Sequence, residues 1–190
     1  MPIPDLPDPQ SPRAKQIFAG LNLLSWYACV WFAAQRQPQS EIICMGLAAL
    51  NLLFSRCCLS SALKTRFDRH FFLALGIGLG FDQLALISGL IRIPSAQGDL
   101  LLPPLWLLSL WLIFLSALPL YRQLFRAKFL LTAISGALLG PASYFAGEKF
   151  GLLFFTSYWS WLGYALFWSG YLLGIVHFLR SPPKITKPLP

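Results

Sequence analysis

Residues 71–93 read FFLALGIGLGFDQLALISGLIRI, an apolar run long enough to cross a bilayer as a helix. Its middle holds a carboxylate, Asp82, which is costly to place in hydrocarbon. A membrane strand is only about 10 residues long and alternates in polarity, so this run predicts a helix. Similar segments lie on either side of it, and together they give six predicted spans, 16–35, 41–63, 71–93, 103–121, 128–147 and 152–179.

The composition of the whole chain agrees with a membrane protein. Of its 190 residues, 56% are hydrophobic and 12% are charged, whereas soluble domains carry about 25% charged residues. These proportions exclude a soluble globular domain. We therefore predict an all-α bundle of six transmembrane helices over residues 16–179, with a disordered Pro-rich arm (1–15) before it and a mobile Pro/Lys tail (180–190) after it.

Basic residues are distributed unevenly between the two sides of the predicted spans. Arg36, Arg92 and Lys149 fall on one side, and the other twelve of the fifteen fall on the side of both chain ends. Because basic loops face the cytoplasm, both termini are predicted to be cytoplasmic. The net charge of +8 then reflects topology. A nucleic-acid partner is not indicated, and membrane lipids with anionic headgroups are the expected partners.

Asp82 is the residue that points most directly to chemistry. Gly78, Asp82, Ala85 and Gly89 share one helical face, whose small residues let a neighbouring helix approach. Asp82 is thus predicted to face another helix, either as a proton or headgroup site or as a hydrogen-bonded structural group. Arg56 in span two lies at a depth that makes it a candidate partner, unless its side chain extends to the headgroups instead.

Asn22 and Asn51 are the other polar groups of interest within the spans. They serve either as ordinary interhelical hydrogen-bonding groups or as ligand contacts.

Span five carries a stripe of small residues at helical spacing. Gly136, Gly140 and Gly147 lie on one face, and Pro141 is able to kink the helix and open a cavity beside Tyr144. Such a stripe predicts close helix packing. The packing is either within the monomer or across a seam with a second copy or another membrane protein.

Aromatic residues are placed where helices meet the membrane surface. Trp106, Trp111, Trp159 and Trp161 are predicted to be interface aromatics. The aromatic residues of span six are also suited to lining a site for an acyl chain.

The chain lacks the residue clusters that most membrane enzymes need. Its four cysteines form no C-x-x-C pair and its two histidines lie apart from them. Clusters of His, acid or Cys suited to hydrolysis, metal or quinone chemistry are also missing. We predict no cofactor and no metal site, and a non-enzymatic role is favoured.

Several strings together resemble a family of small proteobacterial inner-membrane proteins, catalogued as domain of unknown function 2878. The resemblance covers about residues 20–165 and rests on four motifs: Asn22 followed by Trp26-Tyr27-Ala28-Cys29-Val30; Asp82 with Gly89; Pro103-Pro104-Leu105-Trp106 with Trp111 and Phe114; and Gly140-Pro141 with Tyr144, Gly147 and Gly151. At the end of span four the family pattern has a short polar stretch, where this chain has Ser116-Ala117-Leu118-Pro119.

The resemblance implies a multi-pass protein of the bacterial inner membrane and carries over no catalytic residue. The family's gene neighbourhoods imply a role in membrane-lipid modification or envelope stress. We therefore expect a component that binds lipid or acyl chains. A small proton-coupled transporter that uses Asp82, and a structural subunit that docks through the span-five glycine face, are the alternatives.

Overall fold

A computed structural model describes residues 11–58, 61–94, 103–125 and 128–180 of the chain. The predicted Pro-rich arm as far as residue 10 and the predicted tail from residue 181 lie outside the described residues.

Helices account for nearly all of the described chain, as expected for an all-α protein. They are α1 (Pro12–Gln35), α2 (Pro38–Cys58), α3 (Ser61–Ile87), α4 (Leu105–Phe125), α5 (Phe129–Lys149) and α6 (Tyr158–Arg180). Two short strands, β1 (Ile91–Arg92) and β2 (Phe154–Phe155), pair antiparallel with each other.

Among the described residues, four helices are long and apolar enough to cross a membrane by length and composition. They are α1, α2, α5 and the part of α3 from Asp68 to Ile87. In α4, the apolar stretch among the described residues is Leu105–Pro119. Over its described residues, α6 is not in this set.

α1 begins earlier than predicted because Ser11 and Pro12 make a favourable helix start. The Ser11 Oγ accepts a hydrogen bond from the Ala14 N–H at 3.1 Å, and Pro12 lies in the first turn. Residues 12–15, assigned from sequence to the disordered arm, are therefore helical, and that part of the prediction is wrong.

The boundary between the second and third predicted spans is also wrong. α2 ends at Cys58, and residues 61–70, predicted to complete span two and form a connection, belong to α3. This segment contains no Pro or Gly to stop a helix, which is why α3 extends beyond its apolar part.

The other end of α3 is set by Gly89. This residue has a left-handed φ of 72°, and the Leu90 N–H donates to the Ala85 carbonyl at 2.8 Å, which closes the last turn. A Cβ at Gly89 would meet nothing within 4 Å. Gly89 therefore ends the helix, and its predicted role in helix packing is wrong.

The strand pair replaces the predicted ends of spans three and six. Ile91 pairs with Phe155, and the Thr156 Oγ1 donates to the Gly89 carbonyl at 2.7 Å. Spans predicted to reach residue 93 and to begin at residue 152 are thus shorter than expected. The predicted bounds of α4 and α5 agree with the structure to within a few residues.

The packing of the helices leaves α1 and α5 apart. α5 packs along α6, α2 packs against α1 and α4, and α3 packs against α4 and α6. Within the described residues, α1 and α5 do not pack against each other along their length. A cleft remains between them, beside the centre of the bundle.

Candidate functional site

The Asp82 carboxylate lies where α3, α4, α5 and α6 meet. Its side chain is 1% exposed. Its Oδ2 accepts from the Trp111 indole N–H at 2.7 Å, and its Oδ1 accepts from the hydroxyls of Tyr144 at 2.7 Å and Tyr164 at 3.1 Å. One carboxylate therefore ties three other helices to α3 through three neutral donors.

Small residues on α3 bring α4 close enough to make this contact. Gly78, Asp82 and Ala85 are all buried, as their spacing predicts. A Cβ at Gly78 would overlap the indole ring of Trp111. The missing side chain thus gives Trp111 the room to reach the carboxylate, and the packing role predicted for Gly78 is confirmed.

The glycines of α5 do the same for α6. A Cβ at Gly136 would overlap the main-chain carbonyl of Trp168, and one at Gly140 would overlap its indole ring. Gly147 is less tightly packed, since its Cβ would lie 3.4 Å from Leu153. Gly136 and Gly140 therefore pack within the monomer. This is the first of the alternatives predicted for the stripe, close packing within the monomer.

Aromatic rings surround the carboxylate. Trp111 and Trp168 stack with their ring centroids 4.9 Å apart, and Tyr144 and Tyr164 meet edge to face at 4.5 Å. Away from water, each hydrogen bond to the carboxylate is stronger electrostatically and its loss is more costly. Such a site can fix the helices, or hold a proton in the membrane core.

Arg56 does not lie at this site. Its guanidinium forms an ion pair with Asp68 near the beginning of α3, and both side chains are about half exposed. The predicted Arg56–Asp82 pair is therefore wrong. The prediction compared depths along two helices, but α2 packs against α1 and α4 rather than along the face of α3 that carries Asp82.

The two asparagines form a second polar cluster, which joins α1, α2 and α4. The Asn22 Nδ2 donates to Asn51 Oδ1 at 3.0 Å and to the Ile113 carbonyl at 2.9 Å. Nearby, the Ser55 hydroxyl donates to the Ser116 carbonyl at 2.6 Å. This is the interhelical hydrogen bonding that the sequence favoured for Asn22 and Asn51.

The cleft between α1 and α5 has a volume of about 770 Å³. Trp111 and Tyr144 form part of its wall, so two of the three donors to Asp82 line it. Leu23 and Leu139 on its rims are more than half exposed, and the cleft is therefore open at its side. Further lining residues include Ala19, Gly20, Asn22, Phe114, Ser135 and Ser143.

The four predicted interface tryptophans have different surroundings. Trp106 and Trp111 are buried inside the bundle, so their assignment to a membrane interface is wrong. Trp159 is 77% exposed, whereas Trp161 packs on Phe155 with ring centroids 4.0 Å apart. For Trp159 and Trp161, an interfacial position stays a prediction.

Sequence reasoning missed Trp111, Tyr164 and Trp168 as parts of the Asp82 site. A signal was available, because a buried carboxylate without a basic partner needs neutral donors, and Trp and Tyr are the largely apolar residues that carry one. Within the described ranges, no group of His, Cys, Asp and Glu residues is arranged to hold a metal ion.

The fold and the site define an all-α membrane protein whose helices enclose the Asp82 carboxylate. A family model described as "Protein of unknown function (DUF2878)" matches residues 21–173, and the chain belongs to this family. The resemblance noted from the sequence motifs is thereby confirmed. Comparison with curated proteins and with solved structures gives no match.

Proposed function

We propose that this protein binds a lipid acyl chain in the cleft between α1 and α5. The observation that carries the proposal is the cleft itself, about 770 Å³ in volume and open at its side. Binding sites for small molecules and cofactors have volumes of about 300–1,000 Å³. The rims lie in helices that are apolar enough to cross a membrane, so the fluid next to the opening is hydrocarbon.

The polar groups in the cleft support a hydrocarbon ligand over a hydrophilic one. The Tyr144 hydroxyl donates to Asp82, the Ser143 hydroxyl donates to the Gly140 carbonyl at 2.6 Å, and the Asn22 amide donates to Asn51. These three donors already have partners inside the protein, whereas the buried indole N–H of Trp168, which also lines the cleft, has none. The rest of the lining presents mainly carbon atoms. An acyl chain needs only apolar contacts. A polar solute would lose hydrogen bonds to water that an apolar wall does not replace.

The proposal places the protein in a bacterial inner membrane, with six spans and both termini in the cytoplasm. Support comes from the four apolar helices and from the twelve basic residues on the side of the chain ends. In this setting the bound chain belongs to a membrane phospholipid or to a precursor of one. This agrees with a supporting role in membrane-lipid modification.

Filling the cleft from either wall is expected to reduce acyl-chain binding about tenfold. Lipid tails are as apolar as the cleft, so an acyl chain prefers the cleft over the surrounding lipid only because it packs more closely there. About ten lost atom contacts cost ~1–2 kcal/mol, which is about tenfold in affinity. Gly20→Phe and Ser135→Phe fill the two walls, and native mass spectrometry of the purified protein with a defined phospholipid measures the retained lipid.

Gly46→Phe is the matched control for this experiment. Gly46 is an exposed residue of α2 and, like Gly20, has open space where a Cβ would be, but it does not line the cleft. Retained lipid should be unchanged in this variant. Equal lipid retention in wild type, Gly20→Phe and Ser135→Phe would overturn the proposal.

A small proton-coupled transporter is the second candidate, and one observation favours it. Tyr144 lines the cleft and its hydroxyl donates to Asp82, so one side chain connects the buried carboxylate with the wall of the cleft. In proteoliposomes with a pH-sensitive dye inside, wild type should then dissipate an imposed pH gradient faster than Asp82→Asn. Equal rates, at or near those of empty liposomes, would exclude this function while leaving acyl-chain binding intact.

A further inference from the structure

A second apolar groove, with a volume of about 420 Å³, runs between α3 and α6. Its walls include Ala74 and Ile77 from α3 and Gly170 and Gly174 from α6. The Tyr171 hydroxyl donates to the Ala74 carbonyl at 2.8 Å and holds the two helices together beside it. This groove uses a different pair of helices from the α1–α5 cleft.

We propose that the α3–α6 groove is a binding site for one anionic phospholipid, with an acyl chain in the groove and the headgroup phosphate at the end near His70. This inference does not depend on the ligand of the α1–α5 cleft. It rests on the shape of the groove, the open space beside its glycines and the charges at one end.

The shape of the groove fits a hydrocarbon chain and not a partner helix. An α-helix with its side chains is about 10–12 Å across, whereas the two walls are bridged by the Tyr171–Ala74 hydrogen bond. The lining is almost entirely apolar, and Leu73 and Leu166 on the walls are more than half exposed. The groove is therefore accessible to membrane lipid from its side.

The glycines of the groove are not needed for helix packing. A Cβ at Gly170 or at Gly174 would meet nothing within 4 Å, in contrast to Gly136 and Gly140 of α5. One turn apart on α6, they leave out two side chains where the groove is lined. The two glycines therefore widen the groove, and an acyl chain would fill the space that they leave.

The basic residues at one end of the groove, Arg69 and His70, select the headgroup. His70 lines the groove at that end, and Arg69 beside it is exposed. The nearby acidic Asp68 is neutralised by its ion pair with Arg56. Anionic lipid headgroups are attracted to such basic segments.

The test compares phosphatidylglycerol with phosphatidylcholine of identical chains, titrated onto the purified full-length protein and read by native mass spectrometry. Wild type should bind the anionic lipid at least about fivefold more tightly. Gly174→Leu, which fills the groove, should lower binding of the anionic lipid by a similar factor. Arg69→Gln should reduce the preference between the two lipids while leaving chain binding in place.

Gly163→Leu is the matched control, since Gly163 is on α6, has open space at its Cβ and lies outside the groove. It should bind both lipids as wild type does. Ile77→Trp fills the groove from α3 and replaces Gly174→Leu if that variant does not fold. Equal affinity of wild type for the two lipids, or unchanged binding in the groove-filling variant that folds, would overturn the proposal.

Discussion

Replacing Asp82 with alanine is expected to lower the free energy of unfolding in detergent by about 2–4 kcal/mol. The change leaves the donors of Trp111, Tyr144 and Tyr164 without their acceptor. Each buried unsatisfied donor costs about 1–3 kcal/mol, although interhelical hydrogen bonds in membranes average only ~0.6 kcal/mol. At about 2–4 °C per kcal/mol, the thermal midpoint should fall by several degrees.

Two variants control for the Asp82 result. Asp82→Asn keeps the shape and one carbonyl acceptor, so it should lose about one hydrogen bond and fall between wild type and alanine. Asp68→Asn removes an exposed carboxylate from the same helix, which is worth less than about 1 kcal/mol. If Asp82→Ala has the same thermal midpoint as Asp68→Asn, the Asp82 carboxylate does not hold the bundle together.

Gly136→Ala is expected to destabilise the bundle by about 1–3 kcal/mol, the usual range for overpacking. The new Cβ would overlap the main-chain carbonyl of Trp168, which no rotation of a side chain relieves. α5 and α6 must separate, and the Tyr144 and Tyr164 hydroxyls that meet at Asp82 would move apart with them. The fraction of monodisperse protein in size-exclusion chromatography and its thermal midpoint report the effect.

Gly76→Ala gives the matched comparison. Gly76 lies within α3 and has open space at its Cβ, so alanine there should stabilise the helix by about 0.5–1 kcal/mol. The two glycine-to-alanine changes should thus shift the thermal midpoint in opposite directions. A shift of the same sign for both would contradict the α5–α6 contact.

The six helices could be predicted from sequence because they follow runs of apolar residues, and the face of Asp82 followed from the spacing of Gly78 and Ala85. The ends of the helices were harder to predict. α3 begins at Ser61, before its apolar part, and ends where Gly89 takes a left-handed conformation. Both features depend on backbone geometry, which hydropathy does not record.

Sequence reasoning could point to Trp and Tyr donors for Asp82 but could not choose among them, because the choice depends on which helices are neighbours. Trp111, Tyr144 and Tyr164 are 29, 62 and 82 residues away along the chain. Equal depth made Arg56 a plausible partner, but its helix packs elsewhere. The cleft likewise results from two helices that do not pack together, a relation that neither segment encodes alone.

The most direct test of acyl-chain binding uses a phospholipid that carries a diazirine midway along one acyl chain. The full-length protein is irradiated in nanodiscs that contain this lipid, and the labelled peptides are mapped by mass spectrometry. If the cleft binds an acyl chain, we expect labels concentrated on residues 19–27 and 135–144, reduced by Gly20→Phe and retained in Gly46→Phe. Labels confined to the outer faces of the helices, or unchanged in Gly20→Phe, would contradict it.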